Sequence, residues 1–261
     1  MKCEICLCEF NKSTESLLAV ISPWLRILGE IKQRTSQLFF CDNCQGAFFS
    51  LRYSNAQMKL IYSDYRGDNY MKIRNHWERW YTFDYNEAHQ EQAFIDERKQ
   101  VIQKFLVQHE IINVNSVVDV GGDLGQFIPD FQQNTRKFVL DYSNRKLMNG
   151  ISRIENLKDQ ANPDLIIYAH VLEHVSEPLK ELAALLNFTK NVYVEVPYGI
   201  PESSLFRRSR ILHLLAQFVS FFPKVVFFSQ TICRKISHCV YSSTKRTYKF
   251  LFTGDFSENC K

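Results

Sequence analysis

Hydrophobic and polar positions along this chain fall into two periods. Four short apolar runs, at Ser116–Val120, Lys137–Tyr142, Asp164–Ala169 and Asn191–Pro197, are bounded by polar or glycine-bearing segments, as strands of a parallel sheet buried on both faces are. Gly150–Leu157 is short and mixed in character and predicts a weaker strand between the second and third of these. Ahead of them, Ala93, Phe94, Val101, Ile102, Phe105 and Leu106 form an apolar stripe at helical spacing, which predicts a helix over Glu87 to His109 packed on the sheet. Leu17 to Ile31 reads as a further apolar helix-like stretch, and Leu205–Phe222 as an amphipathic or largely apolar helix stopped near Pro223. Strands alternating with helices predict an α/β fold with helices on both faces of one sheet.

Each predicted strand runs into residues that carry chemistry. The first empties into Gly121, Gly122 and Gly125, with Asp119 inside the strand and Asp123 between the glycines. Glycines at such a turn accept positive φ and let the backbone approach a ligand, while N–H groups opening the next helix face its polar part. The second run ends on Asp141, about twenty residues further on, where a carboxylate accepts both hydroxyls of a ribose. The third breaks into a loop with His170, Glu173 and His174, and the fourth carries Glu195 near its end. In an open parallel sheet these ends share the edge where ligands bind, so the pattern points to a nucleotide-type cofactor.

Composition adds a second chemistry. A chain of 261 residues with 45% hydrophobic content supports one substantial core and a small appended module. Met1-Lys-Cys3 leads straight into charges and cysteines without the apolar stretch that export needs, so a cytoplasmic location is expected. With no export signal, the eight cysteines read as metal ligands or buried thiols rather than disulfides. Cys3-Glu-Ile-Cys6 and Cys41-Asp-Asn-Cys44 are two C-x2-C knuckles that together supply the four thiolates of a structural Zn²⁺ site. Cys8 is a spare thiol, able to replace a partner in another register. A closed four-sulfur site has no open position for substrate, so the metal is expected to hold the fold.

A net charge of +4 is too small to argue for nucleic acid, although ten Lys and Arg follow Ser203 against only Asp255 and Glu258. Between the knuckles and the sheet, Tyr62–Tyr70 and Arg74–Tyr81 are dense in Tyr, Trp and Arg. Two readings stay open for them. Either the aromatics pack the connector and the arginines are solvated, or the rings stack on a sugar or base while Arg66, Arg74 and Arg79 clamp a phosphate or carboxylate.

Taken together, Asp-Val-Gly-Gly-Asp-x-Gly-Gln-Phe-Ile-Pro129, Leu140-Asp141, His170-Val-Leu-Glu-His-Val-Ser-x-Pro178 and Val194-Glu-Val-Pro-Tyr198 resemble the class I S-adenosylmethionine-dependent methyltransferases. More narrowly, they resemble a bacterial branch with an N-terminal Cys-pair zinc module, often associated with sugar and surface-polysaccharide biosynthesis. The resemblance spans roughly Met1 to Pro201. It implies four segments: a zinc module over 1–50, an aromatic-rich helical connector over 51–110, a cofactor-binding α/β domain over 111–201 and a basic segment over 202–261.

The resemblance further implies S-adenosylmethionine as methyl donor and a small, sugar-type acceptor. Asp119, Gly121, Gly122, Asp123, Gly125, Gln126 and Asp141 then meet the cofactor, with Asp119 or Asp123 on the methionine amino group and Glu155 or Asn156 on the adenine side. His174 is the first choice for general base and His170 the second, with Glu173 beside them; the same motif equally serves to orient loop and cofactor. Glu195 and Tyr198 are acceptor-side candidates.

Beyond Pro201 the family's closing helix and strand pair are not recognisable, and Lys249–Phe256 resembles the approach to a helix, so the last sheet elements are expected to be missing or rearranged. The stretch over 205–228 also admits contact with a membrane surface, a lid or a homodimer helix. RNA methylation and a truncated, non-catalytic protein are the alternatives to sugar methylation.

Overall fold

The computed structural model describes residues 2–4, 7–10, 16–41, 43, 47–87, 91–160, 162–197, 239–243 and 247–253. Their chain order starts with strand β1 (Ser16–Val20), helix α1 (Pro23–Leu28), strands β2 (Thr35–Phe40) and β3 (Ala47–Phe49) and helix α2 (Asn55–Tyr62). Three helices follow, α3 (Asp68–Trp77), α4 (Phe83–Glu87) and α5 (Gln92–Gln108). Then come β4 (Ser116–Val120), β5 (Arg136–Leu140), β6 (Ile151–Arg153), β7 (Leu165–Ala169), α6 (Pro178–Leu186), β8 (Asn191–Pro197), β9 (Cys239–Ser243) and β10 (Thr247–Thr253).

The described residues form two compact units. One gathers those up to Ile61 with His170–Ala183 and Val194–Phe252; the other holds Tyr62–Ala169 and Ala184–Tyr193, with residues from Thr253 on.

In the first unit, β1, β2 and β3 make an antiparallel sheet in that order. Phe10 stacks on Phe39 and Phe48 at centroid distances of 5.5 and 5.6 Å, and Trp24 and Leu25 are buried. The helix-like reading of Leu17 to Ile31 is corrected here. Ser16–Val20 pairs with Thr35–Phe40, and a helix begins only at Pro23, in its first turn, where a missing N–H costs nothing. Propensity alone did not separate a five-residue apolar strand from a helix, whereas Ser22-Pro23 marks the break.

The second unit carries the parallel strands. β4 pairs with β5 and with β7, and β5 with β6, all parallel. Every residue of β4 is buried, Ser116 and Asp119 included, which explains why its valines do not alternate with exposed polar positions. The full strand order is β6-β5-β4-β7-β8-β10-β9. The chain starts in the middle, moves out one way and then the other, so its switch point lies between β4 and β7. This is a Rossmann-like, doubly wound sheet.

Three expectations change. The closing strand pair is present: β9 and β10 are an antiparallel hairpin at the end of the sheet order, and Thr247–Thr253 is strand where the approach to a helix was expected. Its alternation of Tyr248, Phe250 and Phe252 with Lys249 and Leu251 suits a strand. Second, the glycine-bearing loop after β4 opens no helix; residues 121–135 are turns and extended chain, interrupted by Pro129. Third, α5 buries Ile95, Ile102, Phe105 and Leu106, while Phe94 and Val101 are exposed, so the apolar face is rotated from the predicted stripe.

The predicted helix Leu205–Phe222, the segment 205–228 and Tyr198 lie outside the described residues. Among the described residues, no helix is long and apolar enough to cross a membrane.

Candidate functional site

Chemistry gathers at three places, one in the second unit and two in the first. In the second unit, the parallel strands β4 and β5 end side by side, at the glycine loop and at Asp141. Asp141 Oδ2 accepts the N–H of Asp123 over 3.0 Å, and its Oδ1 accepts the N–H of Ser143 over 2.6 Å. Each oxygen keeps a second lone pair for a hydroxyl.

The loop itself is tightly set. Gly121 donates to the Leu140 carbonyl over 2.8 Å, and Gly125 to the Gly122 carbonyl over 2.8 Å. Gly125 has φ +76°, and a Cβ there would sit 2.5 Å from Ile151 Cδ1. A Cβ on Gly122 would collide with the Asp119 carboxyl, so this glycine is required by an acid of the same motif. Gln126 is buried and accepts the Leu124 N–H through Oε1 over 3.2 Å.

Three acids crowd this corner, with consequences for charge. Asp119 is buried, and its pKa is pushed up to about 8, first by burial and then by Asp141, against the pull of Arg98. Asp123 sits at φ +52°, a left-handed conformation unusual for a residue with a side chain. Burial raises its pKa, opposed by Arg145 and Arg66. Arg145 Nη1 donates to Asp123 Oδ2 over 2.8 Å, and Arg66 Nη1 lies 4.0 Å from the same oxygen. Arg145, in the loop after β5, was not among the predicted site residues; a lone Arg in a polar loop gives no signal until the fold brings it to Asp123.

Of the connector arginines, Arg66 reaches the glycine loop and Arg74 does not. Arg74 is buried in the connector, donating to Glu78 over 2.8 Å and to the Tyr70 hydroxyl over 2.9 Å, with its guanidinium 3.8 Å from the centre of the Tyr81 ring. Arg79 is exposed. Asn156 caps a short 3-10 turn at Leu157–Asp159, accepting the Lys158 N–H over 3.0 Å, in an exposed position.

In the first unit, His170 has φ +58°, and its N–H donates to the Glu195 carbonyl over 2.7 Å. That bond turns its imidazole so that Nε2 lies 3.4 Å from Glu195 Oε1 and Nδ1 lies 3.8 Å from Glu173 Oε1. His174 Nε2 is 3.7 Å from the same Glu173 oxygen. Glu195 is 0% exposed and Glu173 4%, whereas His170 is 39% exposed and His174 24%. The arrangement is two accessible imidazoles backed by two buried carboxylates, which can take up a proton and stabilise the resulting cation. Glu195 is tied more closely to His170 than the sequence indicated.

The N-terminal thiols form a third group. Cys3 and Cys41 are buried. The Cys3 N–H donates to the Cys8 carbonyl over 2.9 Å and the Leu7 N–H to the Cys3 carbonyl over 3.0 Å, with Leu7 at φ +61°, so Leu7 and Cys8 are tied back to Cys3. Cys41 and Asn43 lie between β2 and β3, and Asn43 Nδ2 donates to Cys8 Sγ over 3.0 Å, which brings Asn43 to the N-terminal thiols. Cys6 and Cys44 lie outside the described residues, and among the described residues no group of three or more His, Cys, Asp or Glu forms a metal cluster.

No protein-family model matches the chain, and no curated protein matches it in sequence. Solved structures resembling it include the N-terminal domain of EvdMO1 in the presence of SAH and D-fucose, at 11% identity and a TM-score of 0.42, covering 60% of this chain and 83% of that one. The plantazolicin methyltransferase BpumL, in complex with a monoazolic desmethylPZN analog and SAH, matches at 12% identity and TM-score 0.42, covering 62% and 84%. Magnesium protoporphyrin IX methyltransferase (ChlM) from Synechocystis PCC 6803, with bound SAH, matches at 16% identity and TM-score 0.38, covering 60% and 83%. These neighbours are SAH-bound proteins, two of them named methyltransferases; the fold assignment itself rests on the strand order of this chain.

Proposed function

We propose that the chain transfers a methyl group from S-adenosylmethionine to a small acceptor of sugar type. The observation that supports the cofactor half is the bond between the Asp123 N–H and Asp141, which sets a ribose-type carboxylate beside a glycine loop at the ends of adjacent parallel strands. The sugar-type acceptor rests on the motif resemblance.

When bound, the cofactor supplies an activated methyl on a sulfonium; the acceptor oxygen forms the new bond to carbon while the old bond's electron pair returns to sulfur. The chain then has to orient the acceptor and take its proton. His170 is the better base of the two histidines, because it is more exposed and is flanked by Glu195 and Glu173, which stabilise the imidazolium. His174 shares Glu173 and serves as the second.

Cys3, Cys6, Cys41 and Cys44 hold a structural Zn²⁺ in this reading. Burial of Cys3 and Cys41 and the contact between the two knuckles support it, for thiolates out of water need a cation.

Calorimetric titration of the zinc-loaded protein with S-adenosylhomocysteine and S-adenosylmethionine tests the cofactor half: micromolar binding is expected, and no binding by folded protein removes it. Transfer of labelled methyl to nucleotide sugars tests the acceptor half. Labelling of RNA in place of nucleotide sugars would replace it.

A further inference from the structure

Arg52 Nε and Nη2 are buried and make no hydrogen bond. The residue follows β3, where the chain is pinned to β2: the Leu51 N–H donates to Ser36 Oγ over 3.0 Å, and the Gln37 N–H to Ser50 Oγ over 3.1 Å. Its guanidinium lies 5.6 Å from the centre of the Phe48 ring, on which Phe10, two residues after Cys8, is stacked. A guanidinium keeps its charge at any ordinary pH, so burying its donors unmet is costly. The Phe48 ring face offsets only part of that cost.

The acidic groups that act on this cation belong to the first Cys pair. Burial pulls the Arg52 guanidinium below its ordinary value, and Glu4 and then Cys3 oppose it. Neither of them bonds Nε or Nη2. Glu4 is half-buried, whereas Cys3 is fully buried, as is Cys41, the residue after β2, whose Phe39 packs on Phe48. A neutral thiol offers a guanidinium no charge, but a thiolate does. Four thiolates around one Zn²⁺ carry more negative charge than the ion neutralises, and the excess stays on the sulfurs.

We infer that Arg52 is the counter-cation of the zinc centre, its buried donors meeting the Cys3 thiolate from outside the four-sulfur shell. Resting on the zinc reading, this makes Arg52 a positioning residue that acts through a ligand and not on the metal. It lowers the cost of gathering thiolates out of water and holds Cys3 in place for the ion. An anion from solvent is a poorer match, because both unspent donors are buried.

The test measures the zinc affinity of the full chain by competition with a chromophoric chelator. Arg52→Met keeps an unbranched stem against Phe48 and removes the charge, and zinc affinity should fall roughly 10- to 100-fold, the usual effect of losing a partner of a metal ligand. Arg52→Lys, which keeps the charge, should recover part of it. Amide exchange of β2 and β3 at saturating zinc should match wild type in both variants. Unchanged zinc affinity in Arg52→Met, or equal loss in Arg52→Met and Arg52→Lys, overturns the assignment. Faster exchange with the site full would mean that Arg52 braces the hairpin, and overturns it too. If Arg52→Met does not fold, Arg52→Gln carries the same expectations. Wild type that holds no zinc removes the zinc reading and this inference with it, whereas zinc held equally by wild type and Arg52→Met removes this inference alone.

Discussion

The N–H of Asp123 and the carboxylate of Asp141 are joined over 3.0 Å, so the left-handed corner of the glycine loop hangs from the acid at the end of the neighbouring strand. Asp141 therefore does two things in the proposed site: it presents acceptors to a ribose and it fixes the loop. Asp141→Ala removes both, and S-adenosylhomocysteine affinity should fall by roughly 10- to 100-fold. Asp141→Asn keeps one acceptor oxygen and should lose less. Calorimetry on the two variants checks the order, and an unaltered affinity in Asp141→Ala would remove the ribose assignment.

Much of this corner was legible in the sequence because it is local. Three glycines after an all-buried strand, and an acid closing the next, are readable from spacing and period alone. The closing hairpin was not, because Cys239–Ser243 and Thr247–Thr253 follow a long apolar and basic stretch that obscures where strand begins. The roles of Arg66, Arg74 and Arg145 were also hidden. Arg66 and Arg74 both sit in segments dense in Tyr and Trp and Arg145 in a polar loop, and only the tertiary fold takes Arg66 and Arg145 to Asp123 and leaves Arg74 bracing Tyr70 and Glu78. Glu195 reads as one polar position in an apolar strand until the backbone bond from His170 brings them together.

Asp119 makes stability depend on pH. Its carboxyl is raised from 3.8 to about 8 in the folded protein, by burial first and by Asp141 next. Between those values the folded state keeps a proton that the unfolded chain has lost, so this residue's contribution is full in acid and is lost as pH rises through about 8. Wild type should therefore lose stability relative to Asp119→Asn between about pH 4 and pH 8, and run parallel to it above that. Urea unfolding of both proteins across that range checks it; parallel curves would mean that Asp119 is ionised in the fold.

Arg74 is a structural residue despite its resemblance to an anion clamp. It is buried with Glu78 and spends its donors on Glu78 and Tyr70. Arg74→Ala leaves a buried carboxylate without its ion-pair partner and should destabilise the protein by about 3–5 kcal/mol. Arg79→Ala, at an exposed position, should stay within about 0.5 kcal/mol of wild type. Denaturant midpoints at constant m-value measure both, and a mild Arg74→Ala would return this residue to the list of ligand clamps.

The His170–Glu195 contact separates proton transfer from cofactor binding. His170→Ala should lower methyl transfer by roughly 10²- to 10⁴-fold, the usual worth of a positioned base, with S-adenosylhomocysteine affinity unchanged. Glu195→Gln should lower it less, since the imidazole remains while its carboxylate partner is gone. Single-turnover rates with the acceptor identified in the nucleotide-sugar screen, beside calorimetry, test the pair. Equal loss of rate and cofactor affinity would mean that the histidine orients the loop instead.

The N-terminal knuckles make a prediction about folding rather than catalysis. Cys41 follows β2 at the mouth of the β2–β3 connection, so a metal bound there closes the hairpin that carries Phe39 and Phe48 of the small core. Binding free energy at such a site is folding free energy. Cys41→Ser should release the metal and reduce the protection of β2 and β3 amides from hydrogen exchange, while the amides of β4, β5 and β7, which belong to the other unit, should exchange as before. Chelation of wild-type protein should give the same pattern. Metal content by emission spectroscopy, read beside hydrogen exchange, decides: retained zinc in Cys41→Ser would overturn the ligand assignment, and zinc loss with unchanged exchange would mean that the ion does not hold the hairpin.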